Sequence, residues 1–427
     1  MTATGGAQAD APASVGTSRP WTARATHLAW LDDHARALLA FGRRLVVPGG
    51  GAAYLDDVGL PVPGRGVQTW ITCRTVHVYA LGVMLGIPGC EPVARGALAG
   101  LTGPLHDAEH SGWFHGLAAD GAPERGAGKS CYDHAFVLLA ASSAALAGLP
   151  GARSLLDDAC AVFLERFWDD RSGLAIDAWD AGFRTVDPYR GLNANMHALE
   201  AMLAVADATG DRAWRDRVAR ISRFVVGLAT EHGGRLPEHF DASWRPDLEL
   251  NADRADDPFK PYGATVGHGL EWSRLLLQVE AATGDDMSGD LRAAAVLLFD
   301  RAVEDGWAVD GAPGFVYTTD WAGSPVVRAR MHWVVAEGIA AADALHRRTG
   351  APRYAGLYAR WWDYAAEHVI DHDRGSWHHE LDPENQPAGA VWPGKPDLYH
   401  AVQATLLPRL PLGLSIARAI HDGRVAS

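Results

Sequence analysis

Cysteine is scarce: four in 427 residues, at Cys73, Cys90, Cys131 and Cys160, with no C-x-x-C pair among them. That argues against a disulfide scaffold and against a thiolate zinc site, and makes a reducing cytoplasm the expected setting. No apolar run reaches the ~18 residues that a membrane span needs, so no membrane partner is expected. Positive charge is the minority sign. The 38 Lys+Arg stand against 52 Asp+Glu, a net −14 with no basic patch, and such a chain repels phosphate backbones, so no nucleic-acid partner is expected. Residues 1–20 are rich in Ala, Gly, Ser and Thr but lack an apolar h-region, so they read as a flexible tail and not as a signal peptide. Residues 422–427 read as a short C-terminal tail. Strand-like alternation is also rare.

What is present is a folded chain, 48% hydrophobic and 21% charged, unusually rich in Trp (16) and His (19). Ala/Leu-rich helical stretches fill most of it. Pro-Gly or Thr-Gly pairs recur at Pro88-Gly89, Pro150-Gly151, Thr209-Gly210, Thr283-Gly284 and Thr349-Gly350, each readable as a helix C-cap. Before each pair lies a strongly apolar segment: Thr69–Leu85, Tyr132–Leu149, Asn195–Ala208, Gly267–Ala282 and Met331–Arg348. After each comes a more charged, amphipathic one: Pro92–Leu101, Ser154–Trp168, Arg212–Thr230, Asp290–Glu304 and Arg353–Val369. Leu398–Leu407 adds a sixth helix of the buried type, and His27–Val46 a sixth of the amphipathic type. Six of each is the count of an all-α (α/α)6 barrel, inner helices ringed by outer ones, in a single domain over residues 21–421. The long Gly/Trp/Asp-rich segments between repeats, Asp169–Tyr189, Glu231–Tyr262 and Asp371–Pro396, read as functional loops with small hairpins in some of them.

The first turns of the inner helices carry groups foreign to an apolar core. They are Trp70 and Arg74; Tyr132 and His134; Asn193, Asn195, His197 and Glu200; His268, Glu271 and Trp272; His332, Trp333 and Glu337; and Tyr399, His400 and Gln403. Inner helices of such a barrel run parallel, so these groups converge at one end of the axis. Indoles for stacking beside bidentate hydrogen-bonding groups suit a polyhydroxylated sugar. Helix N-termini disfavour a protonated imidazole, so a neutral His there can serve as a general base near pH 7 while the dipoles stabilise an enediolate. Taken singly, each His, Arg or Trp is more often a satisfied core residue; their recurrence in every repeat is what points to a site. No HExxH occurs, and the two His-x-x-Glu pairs differ from the Glu-x-x-His of a di-metal carboxylate bundle with its extra Glu residues on other helices, so no metal is expected. His378-His379 and His106-Asp-Ala-Glu-His110 read as loop features.

In NANMHALEA, PYGATVGHGLEWSRLLL, MHWVVAEG and GKPDLYHAVQATLLP the sequence resembles the N-acylglucosamine 2-epimerase superfamily, in its aldose–ketose isomerase branch of D-mannose and sulfoquinovose isomerases. The likeness runs from about Trp70 to Pro408. It implies an (α/α)6 barrel that needs no metal or organic cofactor, with two acid/base histidines at His268 and His400. The family's substrate-binding positions fall on Trp70, Arg74, Tyr132, Asn193, His197, Glu271, Trp333 and Glu337, with Trp392 and the Glu231–Tyr262 loop covering the site. The implied chemistry opens the pyranose ring and moves a proton between C2 and C1 through a cis-enediolate. His400 is expected to shuttle that proton, and His268 to serve ring opening and the O1/O2 proton. Arg74, supported by His197, is expected to polarise the oxygens. D-mannose/D-fructose is the expected sugar pair, with D-lyxose/D-xylulose a poorer one. A 2-epimerase or sulfoquinovose isomerase is the alternative outcome. A glycoside hydrolase using Glu271 and Glu337, or a non-enzymatic sugar binder, are the readings from other classes. The exposed outer helices suit a monomer or a homo-oligomer alike.

Overall fold

The structure is a computed structural model that describes residues 19–284 and 288–426. Of the expected N-terminal tail, residues 1–18 therefore lie outside the described residues, as does Ser427 of the C-terminal one.

Six helices are buried along nearly their whole length: α2 (Thr69–Met84), α4 (Cys131–Leu146), α6 (Leu192–Thr209), α8 (Val266–Thr283), α10 (His332–Thr349) and α12 (Tyr399–Leu406). They pack in chain order, and α12 returns to α2, closing a ring. Six more pack outside them: α1 (Ala25–Phe41), α3 (Cys90–Leu101), α5 (Ala152–Val162), α7 (Ala213–Glu231), α9 (Ser288–Gly306) and α11 (Pro352–Tyr364). Their sequences bury one stripe. In α7 it is Trp214, Val218, Ile221, Ser222, Val225, Leu228 and Ala229, the i, i+4, i+7 spacing of a helix with one wet face. This is the expected (α/α)6 barrel. A short α13 (Ile416–His421), which the sequence reading did not single out, packs against α2, α4 and α6.

Some helix boundaries differ from expectation. Gly89 and Gly151 do not close α2 and α4; with φ of 86° and 79° they are the residues that lead into α3 and α5. The preceding helices end three residues earlier, at Gly86 and Gly148, also left-handed at φ 69° and 70°. There Ile87 N–H reaches back to the Gly82 carbonyl and Leu149 N–H to that of Ala144, the six-residue closure that needs a left-handed residue just before it. Helix α1 stops at Phe41 and not at Val46. A 3-10 turn, Gly42–Arg44, follows it, packed so closely that a Cβ on Gly42 would stand 2.6 Å from the Tyr79 hydroxyl, and Val46 bridges to Ala52.

The expected hairpins are two- or three-residue ladders, and they have one recurring job. Five ladders share it: the dipeptide ahead of each of the first five inner helices pairs antiparallel with a dipeptide in the loop ahead of the next one. Val67–Gln68 pairs with Gly116–Leu117, Lys129–Ser130 with Ala178–Trp179, and Arg190–Gly191 with His239–Phe240. Ala264–Thr265 pairs with Thr318–Thr319, and Arg330–Met331 with Glu380–Leu381. The first N–H of each of these helices then finds a carbonyl in that next loop. Thr69 donates to His115, Cys131 to Asp177, Leu192 to Glu238, Val266 to Tyr317 and His332 to His379. Donors that a helix start would leave unpaired are thus satisfied from the neighbouring repeat. The consequence is positional: five loop residues are pinned over the inner-helix starts.

Candidate active site

A pocket of about 690 Å³, open solvent at its mouth included, lies at this end of the barrel. Of the residues expected there, Trp70, Arg74, Tyr132, Asn193, His197, His268, Glu271, Trp333, Trp392 and His400 line it. Glu337 does not. It lies behind the wall, where Oε1 accepts from His400 Nδ1 at 2.9 Å and Oε2 from Arg274 Nε at 2.8 Å.

His268 has a matching arrangement. Its Nδ1 donates to Glu238 Oε1 at 2.8 Å. An ionised carboxylate only accepts, so in both residues Nδ1 carries a proton. The indole of Trp333 neighbours both imidazoles, its ring 5.3 Å from His268 and 5.8 Å from His400. Burial first, and then the charge of Arg74, hold His400 well below the ordinary imidazole pKa. It is a neutral base at pH 7.

Arg74 is fixed from two sides. Nη1 donates to Asp397 at 3.0 Å and Nη2 to the Tyr132 hydroxyl at 3.0 Å, while the guanidinium packs over the rings of Phe136, Tyr399 and Trp70. Burial pushes the Tyr132 phenol up to about 12 against the pull of Arg74, so it stays a neutral hydroxyl. Asp397 caps the start of α12 by accepting from Tyr399 N–H at 2.9 Å, and so stands in for the ladder that the sixth inner helix lacks. Burial would raise its pKa; Arg74 beside it holds the carboxyl low. Trp70 Nε1 and Asn193 Oδ1 are buried without a protein partner, a free donor and a free acceptor for a polar ligand.

Below the cavity Arg274 gathers three carboxylates, with Nη2 at 3.7 Å from Glu200 and 3.6 Å from Glu271 besides the bond to Glu337. Burial, then the Glu337 charge, raises the Glu271 carboxyl well above the usual range despite Arg274. Donor atoms of His197, Glu200 and Glu271 fall within 4.8 Å of one another, a spacing that could hold a cation. The guanidinium already sits against both carboxylates, so the set reads as an internal ion-pair cluster. Asp107, Glu109 and His110 form a second such group. Asp107 there is taken by buried Lys129 at 2.8 Å.

Phe259 and Trp392 meet edge-on at 5.4 Å over the mouth, and Trp392 in turn packs on Trp70 at 6.0 Å. The buried Glu380 carboxylate holds the Trp392 segment by accepting from the N–H groups of Ala390, Val391 and Trp392. His134, noted at the start of α4, is not in the wall. Its ring donates to the Ser130 carbonyl through Nδ1 and accepts from Trp113 N–H, a satisfied core histidine.

Several site residues escaped the sequence reading. Glu238, Tyr317 and His379 all occupy the pinned position just ahead of a ladder dipeptide; Asp397 precedes the sixth inner helix. His379 in particular is no mere loop feature, because it lines the cavity. The usable signal was positional, one residue per repeat, and it needs the ladder register to be seen.

A helical ring with an aromatic-rimmed polar pocket at its inner-helix starts is the class of protein that geometry alone defines. Residues 50–404 match the N-acylglucosamine 2-epimerase (GlcNAc 2-epimerase) family, and the chain belongs to it. It is 53% identical to a D-mannose isomerase of Thermobifida fusca, over 94% of this chain and 98% of that one. With a D-mannose isomerase of Pseudomonas cannabina pv. alisalensis it shares 43%, over 95% and 98%. A crystal structure of a D-mannose isomerase superposes with a TM-score of 0.81 at 27% identity, covering 88% of this chain and 96% of that one.

Proposed function

We propose that this chain is an aldose–ketose isomerase that interconverts D-mannose and D-fructose by proton transfer within one open-chain sugar. The observation that carries the mechanism is the pair of imidazoles, each oriented by a buried carboxylate on Nδ1, on a shared cavity wall with Trp333 beside both rings. Isomerase names at 53% and 43% identity over nearly the full length support the reaction class and the sugar.

His268 assists opening of the pyranose. His400 Nε2 takes the C2 proton of the open aldose while O1 gains a proton, giving a cis-enediol(ate). The same imidazolium returns a proton to C1 as O2 loses its own, leaving a C2 ketone and a C1 hydroxymethyl group. Arg74, oriented by Asp397, stabilises the negative oxygen, and His268 moves the proton between O2 and O1. Such acid–base steps contribute about 10²–10⁴-fold each. No metal or organic cofactor enters the scheme. Trp70, Trp333 and Trp392 offer the sugar apolar faces, and Asn193, His197, Tyr132 and Glu271 offer it hydrogen bonds.

A sulfonated sugar is the weaker reading. Among the described residues Arg74 is the one Lys or Arg side chain in the wall, and it is engaged by Asp397. Lys260 lies over the Tyr189 ring at 3.7 Å. A hydrolytic carboxylate pair is also disfavoured, since Glu337 is committed to His400 and Arg274. Four unpaired cysteines fit the cytoplasmic setting.

Incubation with D-mannose in deuterium oxide tests this. Fructose carrying label at C1, or protium carried over from C2, supports the scheme. Glucose without fructose makes the chain a 2-epimerase, and untouched mannose with turnover of sulfoquinovose makes it the sulfosugar enzyme.

A further inference from the structure

His332 opens α10 at the cavity wall, only 6% exposed, and the proton-transfer scheme gives it no work. Its backbone N–H and its Nδ1 both address one atom, the His379 carbonyl, at 3.0 and 3.2 Å. A carbonyl oxygen only accepts, so Nδ1 carries the ring proton and Nε2 is a lone pair. That Nε2 is buried with no partner in the protein. The ring cannot turn to find one. The His379 ring stacks on it at 3.8 Å and 24°, and is itself anchored by Nε2 donating to the Asp397 carbonyl at 3.1 Å. Burial pushes the His332 imidazole down to about 4 and His379 well below its ordinary value, so both are neutral at pH 7. An acceptor fixed in a buried wall without a donor is a site that a bound donor completes.

Its position says which donor. His332 stands edge-on to His400, ring centroids 6.2 Å apart, beside the group assigned to C1 and C2. During the reaction O1 and O2 develop negative charge, which a lone pair would repel. The matching partner is therefore a hydroxyl that remains a hydroxyl throughout.

We propose that His332 is a specificity-determining residue whose Nε2 accepts a hydrogen bond from a sugar hydroxyl at C3 or beyond. The inference rests on the sugar-isomerase reading of the site. It makes His332 a sensor of substrate, acting on neither transferred proton.

Two variants separate this from a merely structural role. His332→Asn keeps a donor where Nδ1 stands and loses the acceptor. His332→Gln places an amide oxygen near the Nε2 position and gives up the bond to His379. Each is assayed for kcat/KM with D-mannose, its 3-, 4- and 6-deoxy analogues and D-lyxose, with thermal unfolding alongside. Wild type is expected to prefer D-mannose over one analogue by about tenfold or more. His332→Asn should level that preference with its melting temperature kept, and His332→Gln should retain it. Equal behaviour of the two variants, or a preference that survives in His332→Asn, overturns the inference. So does a wild type that discriminates against none of the analogues by more than about twofold, which needs no variant at all. Wild type inert toward D-mannose instead rejects the proposed function, a separate outcome.

Discussion

The two imidazoles proposed for proton transfer are oriented alike and supported differently. Beneath His400, Glu337 projects from the neighbouring inner helix α10 and is shared with Arg274, which also faces Glu200 and Glu271. Beneath His268, Glu238 comes from a loop whose backbone is pinned to the start of α6, and His268 is the one side-chain partner of its carboxylate among the described residues. One imidazole rests on a charged cluster in the barrel axis, the other on the ring of ladders at its rim. A carboxylate with two donors tolerates change less than a carboxylate with one, so the pairs should fail unequally.

The largest effect removes the imidazoles themselves. His400→Ala and His268→Ala should each lower kcat by about 10³-fold or more if both groups transfer protons. Circular dichroism should show the helical content kept. A variant with near-wild-type turnover removes that residue from the scheme and leaves the comparison one-sided.

Next come the supports. Glu337→Gln offers one acceptor oxygen to two donors, so either His400 or Arg274 must face an amide N–H. About 10²-fold in kcat and roughly 3 kcal/mol of stability should be lost, the scale of breaking a buried ion pair. Glu238→Gln still presents an oxygen to His268 and should lose only about tenfold in kcat, with little change in melting temperature. Equal losses would mean that the ladder-borne support is as demanding as the axial one, and the contrast between the two imidazoles would disappear.

What could be read from sequence divides along the same line. The axial half was legible: inner helices are buried all round, so Ala/Leu runs mark them, and His268, His400 and Arg74 stand on those runs. The rim was not. A two-residue ladder has no periodicity to detect, and Glu238, Tyr317 and His379 take their places from pairing with a segment roughly fifty residues away. Glu337 was found but its placement was not, because sequence spacing puts it on the right helix without saying that His400 lies between it and the cavity. Gly89 and Gly151 misled for a similar reason: two glycines three residues apart, as in Gly86 and Gly89, compete for the role of helix stop. Only the Ile87-to-Gly82 hydrogen bond decides between them.

Acid should destabilise the fold through its buried, neutral histidines. Burial lowers His77 to about 3 and His134 to about 4. Folded values below the unfolded 6.5 mean that the unfolded chain binds these protons first, so stability is intact above pH 6.5 and falls as the pH drops toward 4. Each group contributes on the order of 2–3 kcal/mol to that fall. Melting temperatures at pH 7 and 5 should show it, and His77→Gln should shrink the difference. The acid limb of kcat/KM governed by His400 should lie below pH 6.5, since its pKa is depressed.

The smallest effects belong to the mouth, where the same contrast between anchored and unanchored parts recurs. Trp392 stands on a segment tied down by Glu380, whereas Phe259 is 42% exposed and reaches it from the opposite loop. An edge-to-face pair contributes about 0.5–1.5 kcal/mol. Phe259→Ala should therefore raise KM for D-mannose only about two- to fivefold, with kcat and melting temperature nearly unchanged. Trp392→Ala removes contacts to both Phe259 and Trp70 and should raise KM about tenfold. If the order reverses, the mouth is closed by the exposed loop and the anchored indole only receives it, so that access to the cavity would be set by the least tethered residue in its wall.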